Sequence, residues 1–421
     1  MKLLNIKSFF KKILFVSIFS VFLSSAFCKS LDKISSKEIN SHKKSTETYI
    51  RLNEEKKSQN KKIQDIFNSL SPIEKICQLF LTSVQGKEKF EPSETQQDVL
   101  SRLPQLKESY PQMFTTPDKP IIPGGIILFG FNLADSKEGI RKFTDSIKSY
   151  AKENKSVCPY ITVDQEGGFV NRLNGITEYL YSNKTAASKL SEQEAYDLYY
   201  RQGLEIQQCG ININLAPVVE IQTEFNKDFL QLRTWGNKET VRKYGSQCIN
   251  AYHRSGTQLV LKHFPGNTNT DPHSGLPVIE TNQEEFEQIL CYPFKYFAAY
   301  KPAGILMSHA VLDFTDRPDA PKVPSCFNQE LIEYLRNDCN FGGLIFSDDI
   351  YMAALRQNGY PPDVACIKAI ESGIDVLMLS ARLFSDSIAT VLQNYLQDQN
   401  FRQKVDQASL RVITYKVEWG I

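Results

Sequence analysis

The feature that most constrains the fold of this chain is a short apolar run followed by a longer amphipathic segment, a unit that recurs eight times. Apolar runs that close on polar residues are typical of buried strands, and apolar residues three and four apart are typical of helices. The apolar runs cover residues 76–81, 125–129, 160–163, 211–219, 259–261, 305–307, 344–346 and 376–379. The helical spacing is clearest in residues 137–152, 192–207, 240–254 and 282–300.

Eight strand-helix units predict an α/β protein that folds as a single closed (β/α)8 barrel. An open doubly wound sheet would be expected to carry a Gly-rich phosphate-binding fingerprint after its first strand, and the sequence contains none there. A chain of 421 residues with 41% hydrophobic residues can bury a core of this size. Its 49 Lys and Arg residues against 48 Asp and Glu residues leave no broad basic surface, which argues against a nucleic-acid partner.

The amino terminus differs from the rest of the chain. Lysines precede an apolar stretch at residues 13–27, which has the length of a signal-peptide core and is short for a membrane span. We therefore expect residues 1–28 to be a signal peptide or membrane anchor, residues 29–62 a polar tether, and residues 63–421 the barrel. The protein would be exported, periplasmic or envelope-associated, and in contact with a membrane only through its amino-terminal segment.

The nine cysteines form no C-x-x-C pair and no recognisable disulfide framework. Cys77, Cys158 and Cys209 fall in or beside apolar runs, so we expect buried thiols rather than disulfides. Their spacing does not predict a metal site.

Polar residues close three of the predicted strands, where barrel enzymes keep their chemistry. The third run is followed by Asp-Gln-Glu-Gly-Gly at 164–168, and paired glycines let a polyhydroxylated ligand approach the backbone. The fifth run closes on Lys-His-Phe-Pro-Gly at 262–266 and the seventh on Ser-Asp-Asp at 347–349. A Gly-rich turn, solvated charges at a strand end and an Asp helix cap are the structural alternatives.

Successive residues of a strand point to opposite faces, so only one of Asp348 and Asp349 can project into the barrel mouth. His309 closes the sixth run, where a histidine that only satisfies hydrogen bonds is the alternative. His253 falls within a predicted helix and is expected to be structural.

Taken together, residues 161–168, 215–219, 262–266, 271–273 and 345–349 resemble glycoside hydrolase family 3. They are most similar to its bacterial β-N-acetylglucosaminidases, which trim cell-wall muropeptides. The resemblance runs in order from about residue 73 to the carboxyl terminus. Because the chain ends soon after the eighth unit, it is similar to the single-domain members, which implies a monomer.

The resemblance implies a role for individual residues. Asp348 matches the nucleophile, His273 the acid/base and Asp271 its dyad partner. The positions matching those that hold the non-reducing GlcNAc are Asp164, Arg172, Arg233, Lys262 and His263, and His309 matches a further family histidine. The implied reaction is retaining hydrolysis of a terminal β-linked GlcNAc from cell-wall fragments, without cofactor or metal. Other specificities within the family, for chitin fragments or β-glucosides, are alternatives, as is transfer to phosphate, because a deprotonated histidine does not repel an anion.

The sequence departs from the family pattern at three places. Residues 267–270 read Asn-Thr-Asn-Thr where the family usually has His-Gly-Asp-Thr, Glu220 stands where Asp is more common, and residues 85–119 form a long connection with no obvious core pattern. Long connections of this kind are functional or disordered, and this one could reshape the leaving-group side.

Three other functions fit parts of the pattern. A metal-dependent hydrolase could use His263, Asp271, His273 and Asp348 as zinc ligands, but the His-x-His expected to close its first strand is missing. A non-catalytic sugar-binding protein would not need the nucleophile and dyad positions. A mechanism in which the substrate acetamido group is the nucleophile would give the dyad loop no task.

Overall fold

The computed structural model describes residues 54–92 and 94–421. The chain divides into two compact units, Met1–Gln64 and Asp65–Ile421. In the first, residues 54–64 are helical; the predicted signal segment and most of the predicted tether lie outside the described residues. Within those described ranges, no helix is long and apolar enough to cross a membrane.

The second unit is a closed barrel of eight parallel strands with helices around it, which confirms the predicted (β/α)8 fold. The strands are β1 (Phe80–Thr82), β2 (Gly125–Leu128), β3 (Tyr160–Val163), β4 (Ile213–Asn214), β5 (Gln258–Phe264), β6 (Gly304–Met307), β7 (Leu344–Asp349) and β8 (Val376–Leu379). Each strand pairs with its neighbours in chain order, and β1 also pairs with β8, which closes the barrel.

Helices and short turns connect the strands. The α-helices are Pro72–Cys77, Gln96–Ser101, Pro111–Thr115, Lys137–Glu153, Asn183–Lys189, Glu192–Gln208, Lys227–Leu230, Lys238–Ser255, Gln283–Glu285, Tyr292–Ala298, Gln329–Asn337, Ala353–Arg356, Pro362–Ser372, Phe384–Gln397 and Gln399–Glu418. Single turns of other helix types occur at Pro104–Leu106, Gly130–Asn132, Phe286–Leu290, Ser325–Phe327 and Ala381–Leu383. Two small strand pairs lie outside the barrel: Val278–Thr281 with Val311–Phe314, and Gln165–Gly167 with Val170–Asn171.

The helix Glu192–Gln208 shows how local sequence sets these elements. Its first turn is closed by a capping box, in which Ser191 Oγ accepts from the Glu194 N–H at 3.3 Å and the Glu194 carboxylate accepts from the Ser191 N–H at 2.7 Å. Its inner face buries residues three and four apart. The sequence period predicted this helix to within one residue.

The apolar core has two parts. One cluster takes residues from every strand and fills the barrel interior, while the other lies between the strands and the helices. The strand residues of the interior cluster are Leu81, Ile127, Tyr160, Ile213, Val260, Leu306, Leu344, Phe346 and Val376. Because side chains alternate along a strand, this cluster fixes which residues of each strand face inward.

Three predicted elements differ from the structure. The run 76–81 is not one strand, because the Ser71–Glu74 capping box and Pro72 start a helix that continues to Cys77. The run 211–219 forms a strand only at Ile213–Asn214. Two asparagine side chains add to its pairing with the β3 segment: Asn212 Oδ1 accepts from the Ile161 N–H, and Asn214 Oδ1 accepts from the Gln165 N–H. The predicted helix 282–300 is split into three pieces, the last of which begins at Tyr292 with Pro293 in its first turn.

The long connection 85–119 does contribute to the core, contrary to the sequence interpretation. Its buried residues are Phe90, Val99, Leu100, Leu103 and Leu106. The side chain of Asn132, fully buried after β2, donates to the carbonyls of Val84 and Gly86 at 2.8 and 2.7 Å. The start of this connection is thereby fastened beside the carboxyl ends of β1 and β2. All eight cysteines that the structure describes are free thiols, and seven are buried, including Cys77 and Cys209, whereas Cys158 is only partly buried.

Lys416 is an unusual member of the carboxyl-terminal helix, because its side chain is 1% exposed. Its Nζ donates to Gln78 Oε1 at 2.8 Å and lies 5.5 Å from the centre of the Tyr160 ring. Burial lowers the pKa of the Lys416 ammonium to about 7.

We expect Lys416→Met to stabilise the protein at pH 7 and to change the dependence of stability on pH. The unfolded amine binds a proton below its usual pKa of 10.5, whereas the folded amine does so only below about 7, so folding releases a proton between these values. The contribution of Lys416 to the free energy of unfolding of the wild type therefore rises with pH. The difference in unfolding free energy by which Lys416→Met exceeds the wild type should shrink by about 2 kcal/mol between pH 7 and 9. Urea unfolding at both values measures this, with the exposed Lys368→Met as the control. A pH-independent difference would show that Lys416 is charged in the folded protein.

Candidate active site

Three polar side chains continue the inward-facing rows of their strands at the carboxyl end of the barrel. Asp164 is in phase with the interior residue Tyr160 on β3, Lys262 with Val260 on β5, and Asp348 with Phe346 on β7. The barrel therefore brings these three side chains to one mouth, the end where barrel enzymes carry their sites.

Lys262 stands between two carboxylates from the segment after β3. Its Nζ lies 2.7 Å from Asp164 Oδ1 and 2.7 Å from Glu166 Oε1, and its side chain is 6% exposed. Burial alone would lower the pKa of Lys262, but the two carboxylates outweigh burial and raise it. The Lys262 ammonium therefore stays charged and fixes both acids.

Glu166 is also held by Arg233 in a two-pronged ion pair, with Nε–Oε2 and Nη2–Oε1 distances of 2.8 and 2.9 Å. Burial alone would raise the pKa of Glu166, but the charges of Lys262 and Arg233 bring it well below its usual range. The carbonyl of Arg233 accepts from the Asn183 side chain at 2.7 Å, which fixes the backbone behind the guanidinium.

His263 extends this network. Its Nε2 lies 3.4 Å from Arg233 Nη2 and its Nδ1 lies 2.7 Å from Glu220 Oε1. Because a guanidinium only donates, Nε2 accepts and Nδ1 carries the proton donated to Glu220. The segment before Glu220 runs beside the end of β5, where the Val219 N–H donates to the Lys262 carbonyl at 3.0 Å.

Glu166→Gln should destabilise the protein by about 3 kcal/mol or more, because it leaves two buried cations short of a counter-charge. Glu178→Gln is the matched control: Glu178 forms the same two-pronged pair with Arg201, but both side chains are at least 41% exposed. The control should cost less than about 1 kcal/mol. Denaturant unfolding compares the two, and equal losses would mean that the Glu166 pair is worth no more than a surface pair.

Asp348 is supported from the outside of β7. The Asp349 N–H donates to Asp348 Oδ1 at 2.8 Å, and the register of β7 against β8 shifts between Phe346 and Asp349. The carbonyl of Asp349 lies 3.0 Å from His309 Nε2, while His309 Nδ1 lies 3.3 Å from Cys326 Sγ.

His309 is 2% exposed, and burial lowers the pKa of its imidazole despite the nearby charge of Asp348. Burial also raises the pKa of the Cys326 thiol well above its ordinary value, so the thiol keeps its proton. A neutral ring then donates from Nε2 to the Asp349 carbonyl and accepts the Cys326 S–H at Nδ1. His309 therefore supports the end of β7 through its hydrogen bond to the Asp349 carbonyl. Its predicted contact with substrate stays a prediction.

Asp271 and His273 form a pair on the loop after β5. Asp271 Oδ1 accepts from the His273 N–H at 2.9 Å and lies 2.8 Å from His273 Nδ1. Burial raises the pKa of Asp271, but the backbone and side-chain hydrogen bonds from His273 outweigh burial and lower it below its usual value. The pair leaves His273 Nε2 free, on a side chain that is 70% exposed.

The loop that carries this pair meets the loop after β7. The Ala354 N–H donates to the Pro272 carbonyl at 3.0 Å, one residue from His273. Burial raises the pKa of Asp349 to about 6, and the charges of both Asp348 and His273 act on this carboxyl. The imidazole and the β7 carboxylates therefore lie within electrostatic range of each other.

Of the predicted binding residues, the structure brings Asp164, Lys262, Arg233 and His263 into one network. Arg172 lies apart from it, exposed at the rim with its guanidinium 6.0 Å from the centre of the Phe129 ring.

The sequence predicted no role of its own for Glu166. Glu220 and Asn267 stood only as departures from the family pattern, although the Asn267 side chain donates to Glu220 Oε1 at 3.0 Å. Glu166 had a usable signal, because it lies two residues after Asp164 and shares its face of an extended segment. Asn267 had no such signal in the sequence, because its partner Glu220 is distant in the chain.

The zinc site of the alternative interpretation is not assembled. In the ranges that the structure describes, no three or more His, Cys, Asp or Glu side chains are arranged to hold a metal ion. His263 and Asp271 are instead each engaged in the carboxylate-histidine pairs described above.

A barrel whose mouth presents an inward carboxylate, a carboxylate-histidine pair and a buried charged pocket has the parts of a glycoside hydrolase. The sequence model of the Glycosyl hydrolase family 3 N terminal domain matches residues 74–415. The chain belongs to this family.

Known relatives and solved structures agree with this assignment. The chain is 27% identical over 274 residues to "Beta-hexosaminidase A" of Pseudoalteromonas piscicida, covering 61% of this chain and 45% of that protein. It is 30% identical over 266 residues to "Beta-hexosaminidase" of Tolumonas auensis, covering 61% and 75%. A family 3 β-N-acetylglucosaminidase from Paenibacillus superposes with a TM-score of 0.71 at 23% identity, over 84% of this chain and 63% of that one. The chain thus spans less than two thirds of some relatives and more of others.

Proposed function

We propose that this protein is a retaining β-N-acetylglucosaminidase that releases non-reducing terminal β-linked GlcNAc, with Asp348 as nucleophile and His273–Asp271 as acid/base dyad. The observation that carries the proposal is the contact between the dyad loop and the β7 loop at Pro272 and Ala354. It supports a proton donor and a nucleophile that act on one sugar.

In the first step, an Asp348 carboxylate oxygen attacks the anomeric carbon as the bond from that carbon to the leaving oxygen breaks. His273 gives its Nε2 proton to the leaving oxygen, so the leaving group departs as an alcohol. Asp271 contacts Nδ1 at 2.8 Å and so fixes Nε2 as the ring nitrogen that faces the leaving oxygen.

In the second step, water attacks the anomeric carbon and the Asp348–sugar ester bond breaks. The now neutral His273 accepts a proton from that water, which restores both residues. A donor on a loop can approach with the substrate and withdraw for product release, whereas the nucleophile is fixed on a strand.

The charged network supports recognition of the terminal sugar. Asp164 keeps part of its carboxylate accessible, with a side chain that is 19% exposed, beside the Lys262 ammonium. Acceptors and charged donors held in fixed geometry suit sugar hydroxyl groups and penalise analogues that leave them unpaired.

The natural substrate is proposed to be a cell-wall fragment, either a muropeptide or a soluble disaccharide. The names of the β-hexosaminidase relatives support a hexosamine-containing substrate. The amino-terminal segment, which has the composition of an export signal, supports a substrate met outside the cytoplasm. Fractionation of cells that make the full chain tests export, and the mass of the mature amino terminus distinguishes a cleaved signal from an anchor.

Release of nitrophenol from nitrophenyl β-GlcNAc, compared with nitrophenyl β-glucoside, tests the activity and its specificity. We expect clear preference for the GlcNAc substrate and release of the β-anomer of GlcNAc as first product. Binding of GlcNAc without turnover would instead identify a non-catalytic sugar-binding protein.

A further inference from the structure

Glu220 has a position that the proposed reaction does not explain by itself. Its side chain is 2% exposed and lies in the segment between β4 and the Lys227–Leu230 helix. No Lys or Arg forms an ion pair with it in the part of the chain that the structure describes, so the carboxylate is stabilised chiefly by hydrogen bonds. A buried carboxylate in this situation depends on each of its donors.

One side of the Glu220 carboxylate serves the sugar-binding network. Oε1 accepts from the backbone N–H of His263 at 3.2 Å and contacts its ring Nδ1 at 2.7 Å. These contacts hold the ring so that Nε2 faces Arg233, in the row of charges that continues to Lys262 and Asp164.

Both oxygens of the Glu220 carboxylate also accept hydrogen bonds from the loop that carries the dyad. Oε2 accepts from the Asn267 N–H at 2.8 Å, and Oε1 accepts from the Asn267 side chain at 3.0 Å. Asn267 is 2% exposed, which keeps its side chain from touching a bound sugar. It is the first residue after Gly266 and lies six positions before His273.

Further along, the same loop has a separate attachment that does not involve Glu220. The Asn269 side chain accepts from the Asp228 N–H at 2.9 Å and donates to the Glu224 carbonyl at 3.2 Å. This second attachment is exposed. The loop therefore has an inner anchor joined to the sugar-binding network and an outer anchor that is not.

We propose that Glu220 is a positioning residue that couples occupation of the sugar pocket to the placement of the His273–Asp271 dyad. The proposal rests on the proposed function. A sugar hydroxyl that accepts from Arg233 fixes the guanidinium, whose Nη2 donates to His263 Nε2. The His263 ring in turn orients the shared Glu220 carboxylate, and that carboxylate holds Asn267 at the base of the loop. Because one rigid carboxylate accepts from both His263 and Asn267, its orientation is common to both contacts, and a change at one end is transmitted to the other.

Asn267→Ala tests the coupling, because it removes one donor and leaves the His263 contacts in place. We expect the inhibition constant for GlcNAc to rise about three- to tenfold, although residue 267 does not touch the sugar. We also expect kcat to fall more for a poor leaving group, such as the second sugar of chitobiose, than for nitrophenol. Asn269→Ala, the control at the outer anchor, should lower kcat for chitobiose and leave the GlcNAc constant unchanged.

Hydrogen exchange of wild-type protein gives a second test that needs no variant. Saturating GlcNAc should slow exchange across residues 267–275, and Asn267→Ala should abolish that protection. Unchanged exchange in the wild type, or an Asn267→Ala variant with wild-type GlcNAc affinity, overturns the coupling. A wild-type protein that neither binds GlcNAc nor cleaves its glycosides instead overturns the proposed function.

Discussion

Asp348→Asn is expected to lower kcat on nitrophenyl β-GlcNAc by about 10⁴-fold or more, the largest effect of any single change in this protein. The amide keeps the size and much of the hydrogen bonding of the carboxylate but cannot form the glycosyl ester. The Asp349 N–H can still donate to the side-chain oxygen, so the strand end should stay in place. Initial rates, with GlcNAc binding measured by calorimetry, separate lost chemistry from lost binding.

Asp349→Asn is the matched control, because it changes the adjacent carboxyl. Its side chain accepts from the Tyr351 N–H at 2.9 Å, a bond that an amide oxygen can also make. We expect kcat within about tenfold of wild type. If Asp349→Asn were the inactive variant and Asp348→Asn the active one, the assignment of Asp348 as nucleophile would be wrong.

His273→Ala is expected to produce the second largest effect, and its size should depend on the leaving group. Loss of general acid catalysis costs about 10²- to 10⁴-fold when the leaving oxygen needs a proton. Nitrophenolate leaves without one, so its release should be limited mainly by the slower second step. We expect a large loss of kcat/KM on chitobiose and a small one on the nitrophenyl glycoside.

Asp271→Asn provides a graded comparison for this prediction. The amide can still accept from the His273 N–H but no longer supplies a negative charge beside Nδ1. Its loss on chitobiose should be smaller than that of His273→Ala. Equal losses on both substrates for His273→Ala would show that the imidazole binds or shapes the site and does not donate the proton.

The barrel could be predicted from sequence because strand and helix periods are local signals that eight units repeat. The predicted elements were wrong where a strand-like apolar run and a helix-start signal fell in the same segment. At residues 76–81 the apolar run concealed a capping box, although Ser71 and Glu74 have the spacing that marks a helix start. In the 85–119 connection, the buried residues Val99, Leu103 and Leu106 are four and three apart, a helical spacing that the sequence analysis overlooked.

For the candidate site, alternation along a strand predicted that only one of Asp348 and Asp349 enters the barrel mouth, and the family resemblance selected Asp348. The family resemblance supplied positions on loops, such as His273 and Arg233, that no period could mark. The bond between Glu220 and Asn267 joins two departures from the family pattern 47 positions apart. In the sequence, each departure stands as an isolated substitution. Only the three-dimensional fold shows that the Glu220 carboxylate, which replaces the family's Asp, bonds the Asn267 side chain, which replaces the family's His.

The most direct test of the account is to trap the glycosyl-enzyme with a slow fluorinated GlcNAc substrate and to map the modified residue by mass spectrometry. The account predicts one added sugar per chain, on the peptide containing Asp348 and on that carboxyl. Time-dependent inactivation should be absent in Asp348→Asn. A sugar attached to another residue, or turnover with no covalent species while the product keeps the β-configuration, would contradict it.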